Sequence, residues 1–300
     1  MRDIDRIRRI RAESPALIAQ TLRARRRRSL LGEDGRLFII AADHPARGSL
    51  GVGSREFAMG SRVSLLERLA AALERPGVDG VLGTPDIIED LALLGVLEDK
   101  VVVGSMNRGG LQGASFEMDD RFTAYDVPAM VRDGIDLGKL LVRVNLEDAG
   151  TASVLEATAA AVSAAATARL PVMLEPFMSC WRGGRIVNDL SADAVIRSVA
   201  IAAGLGTSSA YTWLKLPVVD EMERVAEAAT MPTLLLGGDP SSGQDETFAS
   251  WESALALPGM RGLVVGRTLL YPHDDDVVRA VDIAASLVHG TAPARIPTSF

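Results

Sequence analysis

Cysteine is nearly absent from this chain of 300 residues, which contains only Cys180. A single cysteine excludes an intrachain disulfide and a cysteine-rich zinc site, and it fits a reducing compartment. The opening stretch MRDIDRIRRIRAESPALIAQ has no apolar core of the kind that signal peptides carry. No uninterrupted apolar run approaches the ~20 residues that span a bilayer. We therefore expect a cytoplasmic protein that has no membrane partner.

Histidine and net positive charge are also scarce. Of three histidines, only His44 lies near the charged residues discussed below, so we expect no metal centre, and no cofactor is indicated. The formal net charge of −7 argues against nucleic acid as the main partner. The arginine-rich stretch RARRRRSL (23–30) could form a patch for nucleic acid or an anionic surface. We interpret it instead as a solvated helix face ahead of the first strand.

Lysine is the rarest basic residue in the chain. Of the 32 basic residues 29 are arginine, and the lysines are Lys100, Lys139 and Lys215. Lys215 lies in the apolar stretch AYTWLKLPVV (210–219). Arginine would serve equally well as a solvated charge, but only a desolvated lysine can lose its proton and act as a nucleophile. Lys215 is therefore the first candidate for chemistry.

Short aliphatic runs alternate with longer stretches of helical periodicity, and no linker divides the chain. This alternation predicts a parallel sheet, and eight βα units in ~250 residues are what one (β/α)8 TIM barrel needs. A doubly wound open sheet would call for a GxGxxG turn after the first strand, where the sequence has ADHPARGSLG. We expect a helical extension at 1–36, a barrel at 37–288 and a loose tail at 289–300. The predicted strands are 37–43, 78–85, 100–106, 138–145, 171–177, 211–218, 232–239 and 262–269.

Several charged residues are predicted to point into this barrel. Because side chains alternate along a strand, placing the aliphatic residues against the helices leaves a polar set facing inward. Burying so many charges is costly unless they pair, and such pairing is common where chemistry is done. A buried ion-pair cluster that only specifies the barrel is the alternative. The inward set comprises Asp43, Lys139, Arg143, Asn145, Glu175, Trp213 and Lys215. Of these, we expect Arg143 and Trp213 to line the substrate pocket.

Glycines end the last two predicted strands. LLLGGD ends the seventh strand with Gly237 and Gly238, and VVGRTL ends the eighth with Gly266 and Arg267. The loops after these strands are the usual phosphate cradle of a TIM barrel. Glycine lets backbone approach a phosphate closely, and arginine can add a bidentate contact. We therefore predict a phosphate site here.

In order and spacing, six segments resemble the class I (Schiff-base) aldolases of the TIM-barrel type, such as the fructose-bisphosphate and tagatose-bisphosphate aldolases. The similar segments are IIAAD, DGIDLGKLLVRV, PVMLEP, WLKLPVV, LLLGGD and VVGRTL, within about residues 37 to 270. The resemblance implies a Schiff base on Lys215, proton transfer by Glu175 assisted by Lys139, and Asp43 as the base at the breaking bond. It implies a phosphorylated sugar substrate, and we expect a homo-oligomer.

The resemblance leaves parts of the chain unassigned. His44 and Pro45 have no role in it, and the long polar loop after the third strand (107–126) differs from the fructose enzymes. A deoxy-sugar phosphate or a keto-sugar-acid phosphate is therefore as acceptable a substrate as a ketose bisphosphate. An isomerase or a non-catalytic sugar-phosphate-binding barrel is one alternative, because a fold does not determine function. A metal-dependent aldolase is another.

Overall fold

The centre of the molecule is a closed barrel of eight parallel strands in a computed structural model that describes residues 3–107, 110–237 and 243–290. Pairing between β4 (Leu137–Val144) and β5 (Val172–Arg182) closes the ring, as does pairing between β1 (Leu37–Ala41) and β9 (Met260–Val265). The predicted (β/α)8 TIM barrel is thus confirmed. The barrel strands are β1 (Leu37–Ala41), β2 (Gly80–Gly83), β3 (Val101–Ser105), β4 (Leu137–Val144), β5 (Val172–Arg182), β7 (Thr212–Leu216), β8 (Thr233–Leu236) and β9 (Met260–Val265).

Helices surround the barrel, as the alternating pattern predicts. Most of them bury an apolar stripe against the outward side chains of the strands. No helix in the described ranges is long and apolar enough to cross a membrane. The helices are α1 (Ile4–Glu13), α2 (Ala16–Ala24), α3 (Arg62–Leu73), α4 (Pro85–Leu93), α5 (Val127–Asp133), α6 (Gly150–Ala168), α7 (Ala192–Ala203), α8 (Met222–Glu227), α9 (Gln244–Leu255), α10 (Arg267–Leu270) and α11 (Val277–His289).

The strands alternate between two separate apolar clusters, as their sequences predict. Outward residues such as Phe38 and Leu214 join the large cluster shared with the helices. Inward residues such as Ile39, Met173 and Val264 form a smaller cluster inside the barrel. This inner cluster fills the lower part of the barrel, and the charged groups of the inward residues gather above it, toward the carboxyl ends of the strands.

A hairpin that the sequence analysis missed extends β5. The predicted strand 171–177 continues to Arg182, turns, and pairs antiparallel with β6 (Arg185–Asn188). Gly183 and Gly184 form the turn with φ of 56° and 74°. Two successive left-handed residues match the right-handed twist of a tight hairpin, and glycine adopts them without strain. The sequence SCWRGGRIV, in which a Gly-Gly dipeptide separates two strand-like runs, was the available signal for a hairpin.

The N-terminal extension is held to the barrel by its arginines, so the interpretation of 23–30 as a solvated helix face is wrong for Arg25 and Arg28. Helix α2 ends at Ala24, and the arginines beyond it contact Lys100, Asp136 and Asp79, which directly precede β3, β4 and β2. The side chain of Arg25 is 2% exposed and contacts Asp136 at 2.8 Å, and Arg28 contacts Asp79 at 2.5 Å. These side chains satisfy buried carboxylates and carbonyls, which a solvated face would not do.

The end of α11 is tied to the same side of the barrel. His289 contacts Asp34 and Asp79 at 2.5 and 3.3 Å. Its hydrogen bond to Asp79 raises the pKa of His289 to about 9, against the effect of burial and with help from Asp34. The division into extension, barrel and tail stays a prediction, and residues 291–300 of the tail lie outside the described residues.

Candidate active site

A cavity of about 500 Å³ opens at the carboxyl ends of the barrel strands. This is the end at which TIM-barrel enzymes carry out their chemistry. Six of the residues predicted from sequence contribute to its lining, together with others that sequence analysis did not assign. The predicted lining residues are Arg143, Glu175, Lys215, Gly237, Gly266 and Arg267.

Glu175 joins the two inward lysines at the floor of this cavity. The Nζ atom of Lys215 lies 2.9 Å from Oε1 of Glu175, and Lys139 forms an ion pair with Oε2. Lys139 also lies 3.2 Å from Oδ2 of Asp43. The side chains of Lys139 and Asp43 are fully buried, whereas that of Lys215 is 5% exposed. Two ammonium groups and two carboxylates thus compensate one another where isolated charges would be costly.

Strand register explains why these side chains meet. Leu174 of β5 pairs with Leu214 of β7, so the next residues, Glu175 and Lys215, occupy the same level. Lys139 of β4 pairs with Met173, two residues lower on β5. Two residues of strand span ~6.6 Å, which the long lysine side chain covers. Lys139 therefore reaches upward from the start of β4 to the level of Glu175.

Trp213 does not join the site, contrary to the expectation that it lines the substrate pocket. It pairs with Met173 and belongs to the apolar cluster inside the barrel. It lines a different cavity, together with Leu31 and Arg261. The physical reason is the strand period, because an inward residue two positions before Lys215 lies one full layer below it.

Asp43 and Lys139 belong to the charge cluster but do not line the cavity. Neither side chain has exposed surface, and neither is among the lining residues. Lys139 lies between Asp43 and Glu175 and compensates both carboxylates. Lys215 and Glu175 are therefore the members of the cluster that a bound molecule can contact.

A second cluster of charged residues lies around Glu117, in the loop after β3, and of this cluster sequence reasoning identified only Arg143. Glu117 contacts Arg143 at 2.8 Å and Arg47 at 2.7 Å, and all three line the cavity. Burial opposes ionisation of Glu117, but the Gly113 backbone N–H and Arg143 outweigh it and lower its pKa. Arg47 and Glu117 lie outside strands, so no alternation pattern marked them.

The predicted phosphate loops reach the cavity in part. Gly237, Gly266 and Arg267 line it, whereas Gly238 lies outside the described residues. A Cβ on Gly266 would lie 2.2 Å from the carbonyl oxygen of Ala41, so only glycine fits between β9 and β1. The backbone of Gly266 therefore lies close to that of Ala41, and the next residue, Arg267, lines the cavity.

His44, which the sequence analysis left unassigned, also lines the cavity. It begins a 3-10 turn (His44–Arg47) directly after Asp43. Its Nδ1 atom lies 3.6 Å from Oδ1 of Asp43. Burial, followed by the nearby charges of Arg267 and Lys215, holds the pKa of His44 well below its usual value. The imidazole is therefore neutral at pH 7.

The β5–β6 hairpin covers one side of the cavity with Ile186, Val187 and Asn188. Trp181 anchors it by donating from Nε1 to Oδ2 of Asp148 at 2.5 Å. Apolar side chains at the rim of a charged pocket exclude water from it.

Cys180, the single cysteine, lies on this hairpin, within β5. Among the described residues no group of three or more metal-ligating side chains is assembled.

Similarity to known proteins accords with this geometry. A family model described as Cgl0159-like matches residues 35–285. Cgl0159 from Corynebacterium glutamicum (Brevibacterium flavum) is 69% identical over 96% of this chain and 97% of its own, with a TM-score of 0.94. No curated protein matches the sequence.

Two more distant structures share the barrel. An archaeal fructose-1,6-bisphosphate aldolase, with its catalytic lysine covalently bound to the carbinolamine intermediate, is 19% identical with a TM-score of 0.64. It covers 91% of this chain and 100% of its own. Fructose-bisphosphate aldolase from Slackia heliotrinireducens DSM 20476 is 16% identical, covers 86% and 83%, and has a TM-score of 0.63. The fold is thus that of class I aldolases at low identity.

Proposed function

The chain belongs to the Cgl0159-like family, and we propose that it is a class I aldolase that forms a Schiff base on Lys215. Its substrate would be a phosphorylated sugar or keto-sugar acid, in which it cleaves or forms a C–C bond. One observation carries the proposal: at the floor of the cavity, Glu175 contacts a lysine on each side, and only Lys215 of the two borders the cavity.

In the first step Glu175 acts as a base and then as an acid. The Lys215 ammonium must lose a proton before its nitrogen can attack a carbonyl carbon, and the carboxylate 2.9 Å away accepts that proton. Loss of water from the carbinolamine needs an acid, and the same carboxyl group returns the proton to the leaving hydroxyl. Lys139 supports both events as a fixed charge, because its ammonium stays beside Glu175 throughout.

Binding of the phosphate fixes the carbonyl carbon over Lys215. Arg267 and the backbone at Gly237 and Gly266 border the cavity at the adjoining strand ends. Contacts to a non-reacting phosphate supply binding energy that orients the reacting carbon. The hairpin residues Ile186 and Val187 limit access of water to the iminium.

Reduction of the enzyme with borohydride in the presence of substrate tests the proposal. The probes are a ketose bisphosphate, a 2-deoxy-aldose phosphate and a 2-keto-3-deoxy-aldonic acid phosphate. We expect mass spectrometry of a digest to find the reduced adduct on Lys215 with at least one probe. Lys215→Met should abolish the adduct and the release of aldehyde, whereas Lys100→Met, which changes a lysine outside the site, should retain both.

Three results would count against the proposal. These are the absence of an adduct with every probe, an adduct on another lysine, or an adduct that persists in Lys215→Met. Binding without aldehyde release would favour an isomerase or a sugar-phosphate-binding barrel. We further propose a cytoplasmic homo-oligomer, as is common for barrel enzymes, and sedimentation velocity of the purified chain checks the assembly.

A further inference from the structure

Cleavage of a C–C bond through an iminium requires a base that contacts the substrate, and Asp43 is not placed to be that base. The bond breaks when the hydroxyl on the neighbouring carbon loses its proton. Asp43 has a fully buried side chain, does not line the cavity, and contacts Lys139 through Oδ2. A substrate in the cavity therefore meets other side chains before it meets this carboxylate.

His44 stands between Asp43 and the cavity. Its side chain is 23% exposed and lines the cavity, while its Nδ1 atom is buried. Within the described residues Nδ1 makes no hydrogen bond, and Oδ1 of Asp43 lies 3.6 Å from it. The exposed part of the side chain therefore consists of atoms other than Nδ1.

The turn that carries His44 fixes the backbone from which its ring projects. Asp43 has φ −88° and ψ −3°, and the 3-10 turn that follows contains Pro45 and closes on Gly48, which has φ 77°. Proline restricts the backbone at the second position of the turn, and glycine permits the left-handed residue that ends it. Asp43 and His44 therefore form a rigid pair at the end of β1.

We propose that His44 is the general base that takes the hydroxyl proton when the C–C bond breaks, and that Asp43 is a positioning residue for its imidazole. This inference rests on the proposed aldolase function and names the proton acceptor within it. A small closure of the 3.6 Å gap lets Nδ1–H donate to Asp43. The lone pair is then on Nε2, the ring nitrogen that this role assigns to the substrate in the cavity that His44 lines.

The step balances without any further reactant. Nε2 of His44 accepts the hydroxyl proton, the oxygen–carbon bond becomes a carbonyl, and the C–C bond breaks. Its electron pair forms the enamine and neutralises the iminium nitrogen on Lys215. The imidazolium then returns the proton to the enamine carbon, and water hydrolyses the resulting iminium to release the second product. In the synthetic direction the same imidazolium protonates the new hydroxyl.

The charges around His44 agree with its role as a base. Burial, Arg267, Lys215 and Lys139 disfavour the imidazolium, while Glu175 favours it, and the net effect lowers its pKa. Asp43 faces it from the end of β1. The neutral ring is thus available as an acceptor at pH 7, and activity should be lost as acid protonates it.

Separate measurement of Schiff-base formation and cleavage tests this assignment. In His44→Gln we expect the borohydride adduct on Lys215 to form as in the wild type, while aldehyde release falls ~10²- to 10⁴-fold. Asp43→Asn should show the same separation with a smaller loss. Added imidazole should restore part of the cleavage in His44→Ala. His273→Gln, which changes an exposed histidine, is the matched control.

The outcomes distinguish this inference from the proposed function. No adduct in the wild-type enzyme would remove the aldolase proposal itself. With the wild-type adduct present, the assignment of His44 is overturned by cleavage within threefold of wild type in His44→Gln. It is also overturned by a parallel loss of adduct and cleavage, or by the absence of imidazole rescue in a folded His44→Ala.

Discussion

Replacement of Lys139 by methionine should destabilise the protein far more than the same replacement of Lys215. Lys139 contacts Asp43 at 3.2 Å, and both side chains are fully buried. At an effective dielectric constant of about 20, two unit charges at this distance attract by ~5 kcal/mol. Because desolvation of the lysine is recovered in the variant, we expect a net loss of ~3–5 kcal/mol in the free energy of unfolding.

Lys215→Met is the matched comparison. Its partner Glu175 is 11% exposed and keeps its ion pair with Lys139, so no carboxylate is left without a nearby ammonium. We expect this variant to lose ~1 kcal/mol or less. Asp43→Asn should recover part of the stability of Lys139→Met, because the amide needs no cation.

Urea unfolding followed by circular dichroism measures these differences at pH 7. The destabilisation of Lys139→Met should also shrink in acid, where protonation removes the excess negative charge. Equal costs for the two lysine variants would refute the reasoning, since it depends on the deeper burial of Lys139. A failure of Asp43→Asn to recover stability would do so as well.

Three further predictions concern the rest of the barrel. Asp79 raises the pKa of His289 to about 9, so the ion pairs of His289 should stabilise the fold fully below about pH 6.5 and lose this effect toward pH 9. In urea unfolding, we expect the free energy of unfolding to decline by ~1–2 kcal/mol over this range, and His289→Gln should flatten the decline. Arg25→Ala, which removes a buried side chain, should cost ~2–3 kcal/mol, against ~0.5 or less for exposed Arg8→Ala. Gly266→Ala should raise KM for a phosphorylated substrate and lower the melting temperature, because its Cβ would meet a β1 carbonyl.

Each of these has a result that would contradict it. A wild-type stability that does not fall between pH 6.5 and 9 would exclude the ion pairs of His289 as a stabilising contact. Equal costs for the two arginine variants would mean that the extension is not anchored through Arg25. An unchanged KM in Gly266→Ala would separate this glycine from substrate binding.

The barrel and the inward direction of its charges were predictable because both follow from local alternation. Lys215 lies between Leu214 and Leu216, and Glu175 follows Leu174. The place of these leucines against the helices leaves the two charged residues only the interior. Eight repeated βα units then close in one way. Prediction of this pattern needed no information about contacts between residues far apart in the chain.

The height of each residue in the barrel was not predictable in the same way. Alternation assigns Trp213 and Lys215 to the same face, but one joins the inner apolar cluster and the other the cavity. Their separation depends on the register between neighbouring strands and on where the inner cluster ends. Arg47 and Glu117 were missed because loop residues have no period, and their pairing with Arg143 depends on how the chain folds back.

By itself the sequence determined the barrel, the inward set of charges and the amine that could act as a nucleophile, because each depends on residues a few positions apart. Only the tertiary structure decided which charges reach the cavity. It buried Asp43 behind His44, placed Glu175 between two lysines and covered the site with the β5–β6 hairpin. These are contacts between strands and loops far apart in the chain, and their geometry is set by strand register and packing rather than by local pattern.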